Sequence, residues 1–181
     1  MNNLQKKYRE EVLPKLMKEF ERGNAMAVSR PEKVSVNVGL SRAASDPNFA
    51  SAVAEDLKLI AGQTPVKTKA RKAISGFKIR KNQEIGVAVT LRGPRMWDFL
   101  EKMIGAAIPR IRDFQGIDLR NFNAQGNFSY GFKEQLVFPE ISHDDISTIF
   151  GMQVNVKLTG SDRTENIQLM KMLGFPLREN K

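Results

Sequence analysis

Three short stretches of the 181-residue chain alternate without a break between apolar residues and polar or small ones. In "KVSVNVGL" the apolar set is Val34, Val36, Val38 and Leu40, set against Ser35, Asn37 and Gly39. In "IGVAVTLRG" it is Ile85, Val87, Val89 and Leu91, set against Gly86, Ala88, Thr90 and Arg92. In "MQVNVKL" it is Met152, Val154, Val156 and Leu158, set against Gln153, Asn155 and Lys157. A period of two sends alternate side chains to opposite faces of a strand. A strand with one wholly apolar face needs cover on that face alone. The pattern therefore predicts an α+β fold, an antiparallel sheet with helices packed on one face and the other face open. The open face would carry Asn37, Thr90, Arg92, Asn155 and Lys157. It has no Phe or Tyr at its strand centres, so it lacks the aromatic platform that stacks single-stranded bases. Amides, hydroxyls and glycines suit close approach to a folded RNA backbone; an ordinary solvated sheet face has the same composition.

Helical spacing supplies the cover. Leu4, Tyr8, Leu13, Leu16, Met17 and Phe20 recur at helical intervals before Gly23, and Pro14 inside the pattern predicts a kink or break near Leu13. "SDPNFASAVAEDLKLIAG" opens with Asp46 as an N-cap and Pro47 at the first helical position. Its stripe is Phe49, Val53, Leu57 and Ile60, and Gly62 ends it. A third helix begins at Pro94 and buries Met96, Phe99, Leu100, Met103, Ile104 and Ala107, with Trp97 beside them. Asp162 caps a last helix with Ile167, Met170 and Leu173 on one side, closed by Gly174 and Pro176. Residues 110–145 show no sustained period and read as short strands and loops, "SYGFKEQLVFP" being the clearest strand there. With no internal repeat, residues 1–181 read as a single domain.

Charge is distributed unevenly. Residues 1–83 hold 17 Lys and Arg against 8 Asp and Glu, whereas residues 84–181 hold 12 of each. Most of the excess lies in "GQTPVKTKARKAISGFKIRKNQ", residues 62–83, where Lys67, Lys69, Arg71, Lys72, Lys78, Arg80 and Lys81 stand without a single acid. Concentrated charge of one sign implies a polyanionic partner, and nucleic acid is the best match. No amphipathic basic helix with bulky apolar anchors occurs in the stretch, which argues against a membrane surface.

Other chemistries find little support. The chain has no cysteine, which excludes disulfides, thiolate metal sites and Cys nucleophiles together. His143 is the only histidine, so His-pair metal sites and most catalytic triads are excluded as well. His143, Asp144 and Asp145 in "ISHDDIS" read as a turn or helix start rather than a proton-transfer or metal site, though a carboxylate-and-magnesium nuclease is not excluded by composition. No phosphate-binding glycine loop or dinucleotide fingerprint is present, and no cofactor is expected. The N-terminus lacks the apolar core of a signal peptide, and no run approaches the roughly 18 apolar residues of a membrane helix. A cytoplasmic protein is the expectation.

Five motifs occur in order: "VNVGL", "AGQTPVKTKARKAISGFKIRKN", "VTLRGPRMWDFLEK", "FSYGFKEQLVFPEI" and "FGMQVNV". Together they resemble, over nearly the whole chain, the bacterial form of the large-subunit ribosomal protein five family, whose members bind 5S ribosomal RNA. The resemblance implies a non-enzymatic constituent of the central protuberance, with an open concave face that anchors 5S rRNA and touches 23S rRNA. Carried over by motif, Asn37, Gln63, Thr64, Thr90 and Arg92 would contact rRNA, with Lys67, Lys69 and Arg71 contributing charge. Residues 73–82 would reach P-site tRNA through Ser75, Gly76, Lys78, Arg80 and Lys81, Gly76 and the charged tip favouring mobility. Region 110–145 would face a small-subunit head protein at an intersubunit bridge, among neighbouring large-subunit proteins. A free-standing RNA-binding regulator or assembly chaperone would use the same basic face.

Overall fold

Each alternating stretch is a strand. In a computed structural model that describes residues 2–40, 48–141, 149–160 and 162–178, β1 spans Pro31–Gly39, β3 Glu84–Leu91 and β5 Met152–Leu158. Two further strands, β2 (Val66–Lys69) and β4 (Phe128–Phe132), complete a five-stranded sheet of order β2-β3-β1-β5-β4. Its pairings are antiparallel. Val66 stands opposite Ala88 and Thr68 opposite Gly86, while Thr159 donates its N–H to the Arg30 carbonyl at 3.0 Å and Lys157 pairs with Glu32 at 2.8 Å. With its helices this is the expected α+β fold.

The apolar faces are buried as the alternation requires: Val34, Val36, Val38, Val87, Val89, Leu91, Val154, Val156 and Leu158 are all within the core. Ile85 is an exception at 38% exposure, because it lies at the start of β3, where the apolar face runs out to solvent. The strand expected over "SYGFKEQLVFP" is shorter: β4 ends at Phe132, and Gln135–Val137 form a 3-10 turn.

The residues group into two compact units. The first comprises Met1–Val34, Arg92–Tyr130 and Asn155–Lys181. Its N-terminal helix is interrupted as Pro14 foretells: α1 (Asn3–Lys7) leads through a π-helical turn (Tyr8–Val12) into α2 (Leu13–Glu19), with Pro14 at the start of α2. Proline has no N–H to donate, and a wider turn absorbs the missing bond. The buried stripe is Leu4, Tyr8, Val12 and Leu16, steps of four residues that the wider turn keeps on one face, and Leu13, expected in the core, is only half-buried. Here α1 packs on α4 (Gly93–Lys102), with the rings of Tyr8 and Trp97 5.4 Å apart. A second π turn, Met103–Ala107, extends α4. In α5 (Arg163–Leu173) the Asp162 side chain accepts from the Thr164 N–H at 2.9 Å, as a capping Asp should, and Gly174 ends the helix at φ 108°. Its buried face is Glu165, Asn166, Leu169, Met170 and Leu173, with Ile167 only half-buried.

Two of those buried residues are polar, and they organise a closed knot around Ser29. The Ser29 N–H donates to Glu165 Oε1 at 2.7 Å, its carbonyl accepts from Tyr8 Oη at 3.0 Å, and its hydroxyl donates to Asn166 Oδ1. Asn166 Nδ2 donates to the carbonyls of Gly160 and Gln125 at 2.9 and 3.3 Å. Glu165 also takes a 2.9 Å bond from Arg22. Burial pushes the Tyr8 phenol up to about 12, so it remains a donor at physiological pH.

The second unit comprises Ser35–Leu91 and Gly131–Val154. Its helix α3 (Phe49–Ala61) packs on β3 and buries the expected stripe of Phe49, Val53, Leu57 and Ile60, with Ala50 beside it. At 13 residues a helix is marginal by itself in water. Burying each of Val53, Leu57 and Ile60 is worth about 1.5–3 kcal/mol, so packing rather than propensity holds it. Gly62 closes α3 at φ 63°, its N–H bonded to the Lys58 carbonyl at 2.9 Å. The capping expected of Asp46 and Pro47 lies outside the described residues, as do His143, Asp144 and Asp145. Gln135, fully buried, accepts from the Phe150 N–H at 2.9 Å and bonds the Asp56 carboxyl, whose pKa burial nonetheless raises.

Candidate nucleic-acid interface

In the second unit the strands come together around one glycine on the side of β3 opposite the core. Gly86 is buried between neighbouring strands, and a Cβ there would lie 2.7 Å from Thr68 Oγ1, 3.2 Å from the Val38 carbonyl oxygen and 3.9 Å from Asn37 Oδ1. Thr68, Gly86 and Asn37 therefore meet on one patch of this face. Asn37 is exposed and Thr90 half-buried. Gln63 comes to the same strand from the end of α3: its Nε2 donates to the Thr90 carbonyl at 3.2 Å. This bond ties "GQTP" to β3 and fixes where the exposed Thr64 stands. Arg92 is exposed and extended ahead of Gly93, which takes φ 60° at the start of α4.

The rest of the expected open face is occupied differently. Asn155 accepts a 2.6 Å bond from the Ser129 hydroxyl, and Lys157 is paired with Glu32. The Lys157 bond, and more weakly the charges of Lys157, Lys33 and Arg92, hold the Glu32 carboxyl below its usual range. Both Asn155 and Lys157 are thus taken up by side chains of adjacent strands, a consequence of register that strand-by-strand reading does not reveal.

The basic stretch is a strand followed by a hairpin. Antiparallel partners point to the same side of a sheet, so Val66 and Thr68 share the open face with Ala88 and Gly86, while Lys67 shares the covered side with Val87. Lys67 is also ion-paired to Glu84 at 3.2 Å. Thr68 is an open-face hydroxyl absent from the expected set, hidden in the sequence between two lysines. After an irregularity at Thr68/Lys69 the chain leaves the sheet. The hairpin base is closed by Ala70 N–H to the Gln83 carbonyl at 2.8 Å and Asn82 N–H to the Ala70 carbonyl at 2.9 Å. Ile74 and Ile79 exchange both backbone bonds, at 2.9 and 3.1 Å, and Ser75–Phe77 make a 3-10 turn at the tip. Lys78 and Asn82 take left-handed conformations, φ 54° and 67°. Lys78, Arg80, Lys81, Asn82 and Gln83 line a cleft of about 540 Å³.

All seven cations of residues 62–83 are exposed, and among the described residues Lys67 alone of them has an ion pair. Ser75 and Gly76 are exposed at the hairpin tip with them, and so is Phe77, also absent from the expected set. An aromatic placed among basic residues is the signal that would have found it. No cluster of metal-ligating side chains exists among the described residues.

Two family profiles match the chain. Residues 24–80 match the family described as "Ribosomal protein L5", and residues 84–177 match the profile for the C-terminus of the same ribosomal family. A relative called "Large ribosomal subunit protein uL5" from Symbiobacterium thermophilum is 48% identical over 179 residues, 99% of each chain. Proteins of the same name from Dictyoglomus thermophilum, 47% identical over 99% of this chain and 100% of their own, and from Roseiflexus sp. (strain RS-1), 46% identical over 97% and 98%, agree with it.

Proposed function

The chain belongs to the ribosomal protein L5 family, and from that membership we propose that it is a structural constituent of the large ribosomal subunit, not an enzyme, that sits on the bacterial ribosome in contact with rRNA and other ribosomal proteins. More finely, it anchors 5S rRNA and touches 23S rRNA through the open face of the second unit and the adjoining cations. The hairpin between Ala70 and Gln83 reaches P-site tRNA, and residues in the 110–145 region meet a small-subunit head protein. The observation that carries the RNA reading is the run of exposed cations at 62–83, all but Lys67 without an acidic partner among the described residues.

Affinity and selectivity divide between two kinds of group. Lys69, Arg71 and their neighbours contact phosphate and release counterions, which gives strength and steep salt dependence. Asn37, Thr64, Thr68 and Thr90 offer hydrogen-bonding groups on a rigid strand framework, which suits ribose hydroxyls and fixes register. Gln63 acts through its bond to Thr90 as well as at the surface. Replacing Asn37 with Ala and Thr90 with Val together should weaken 5S rRNA binding about thirtyfold in a filter assay at fixed salt, since each lost hydrogen bond is worth about 1 kcal/mol. The thermal midpoint should hardly move. Unchanged affinity would remove the open face from the 5S contact, and absence of the chain from salt-washed large subunits would remove the ribosomal role.

A further inference from the structure

The hairpin tip holds a side chain that its folding does not use. Phe77 is 75% exposed and Ile74 47%, although the hairpin is closed by backbone bonds that need neither side chain. A phenyl ring in water forgoes the burial that places most Phe residues in the core. The backbone that carries it is closed on itself: Ser75–Phe77 form a 3-10 turn, the Lys78 N–H returns to the Ser75 carbonyl at 3.0 Å, and the paired Ile74 and Ile79 close the turn behind it. Immediately after the ring come Lys78, Arg80 and Lys81, which line the 540 Å³ cleft with Asn82 and Gln83. An apolar ring next to a cationic cleft matches a nucleotide, whose base is a flat apolar face and whose phosphate is an anion. An apolar protein pocket would need no such cleft.

We infer that Phe77 stacks on an unpaired base of a structured RNA, while the cleft beside it takes the adjoining backbone phosphates. This rests on the ribosomal reading for the hairpin's partner being RNA and adds what the hairpin recognises: an accessible base face rather than backbone alone. Stacking tolerates any base, so the contact selects RNA shape and not sequence.

The test uses the full chain and two RNA duplexes of equal length, one fully paired and one carrying a single unpaired 2-aminopurine. The wild type should prefer the bulged duplex and quench its fluorescence. Phe77→Ala should lose roughly tenfold in affinity for the bulged duplex and the quenching with it, while binding to the paired duplex stays within about twofold. Phe77→Trp should retain both. An equal effect of Phe77→Ala on the two duplexes, no effect on either, or wild-type behaviour of Phe77→Leu would overturn the inference, the last by showing apolar contact without stacking. Affinity for 5S rRNA, measured in parallel, separates the two readings. Normal 5S binding with no preference for the bulge ends the stacking proposal alone, whereas failure of the wild type to bind 5S rRNA ends the ribosomal one.

Discussion

Ribosomes carrying the chain with Lys78, Arg80 and Lys81 all changed to Gln should lose P-site tRNA faster, while the isolated variant binds 5S rRNA within about twofold of the wild type. The three side chains line one cleft along the returning arm of the hairpin, from Lys78 beside the tip to Gln83 at the base. Each phosphate contact removed lowers the slope of log affinity against log salt by about 0.7–0.9, so the tRNA slope should fall by about 2 to 3. Changing Lys69 and Arg71 to Gln should do the reverse, taking about 1 to 2 from the 5S slope and leaving tRNA retention alone. Lys67→Gln is the internal control. Its charge is already offset by Glu84 at 3.2 Å on an exposed edge, and the covered side of β2 directs it away from Thr68. Equal loss of 5S affinity in the cleft variant would put the whole hairpin on rRNA.

What can be read from the chain follows from where burial leaves a mark. β1, β3 and β5 announce themselves because one face of each is core and the other is not. β2 does not, since all four residues of "VKTK" are exposed and an edge strand buried on neither face has no apolar period to show. The hairpin beyond it is equally silent, because its left-handed positions are filled by Lys78 and Asn82 rather than glycine. The Pro14 interruption is legible, but the π turn before it is not, and through that turn the buried positions fall at steps of four, Tyr8, Val12 and Leu16, leaving Leu13 half-buried. Alternation alone suffices to place Asn37 and Thr90 opposite the core face. The pairing of Asn155 with Ser129 and of Lys157 with Glu32 depends on which strands lie side by side, and alternation says nothing about that.

The Ser29 knot is the extreme case of such non-local information, and it should be the most sensitive point in the first unit. Gly126→Ala is expected to lower stability by about 4–6 kcal/mol. Two costs combine. Gly126 has φ 77°, where a Cβ is strained by about 1–2 kcal/mol. That Cβ would also overlap Asn166 Nδ2 and lie 2.9 Å from Asn166 Cβ and 3.0 Å from Arg163 Cα. The helix backbone cannot yield cheaply, so the Asn166 amide must leave, and it has nowhere to go: Gly160 approaches it from the other side, with a Cβ there only 2.8 Å from Asn166 Oδ1. Its departure strips the buried Ser29 hydroxyl of its partner, at about 1–3 kcal/mol, and the part-buried Gly160 and Gln125 carbonyls of theirs, at about 0.5–1.5 kcal/mol each. For a chain of this size the thermal midpoint should fall by about 10–20 °C. Gly105→Ala, at an exposed glycine with no atom within 4 Å of the new Cβ, should cost nothing measurable. Asn166→Ala should be damaging alone yet add little to Gly126→Ala, because the clash and the lost bonds involve the same amide. A fall of less than about 3 °C for Gly126→Ala, or simple additivity of the pair, would show that the knot can repack and that the polar cluster does not fix this unit's geometry.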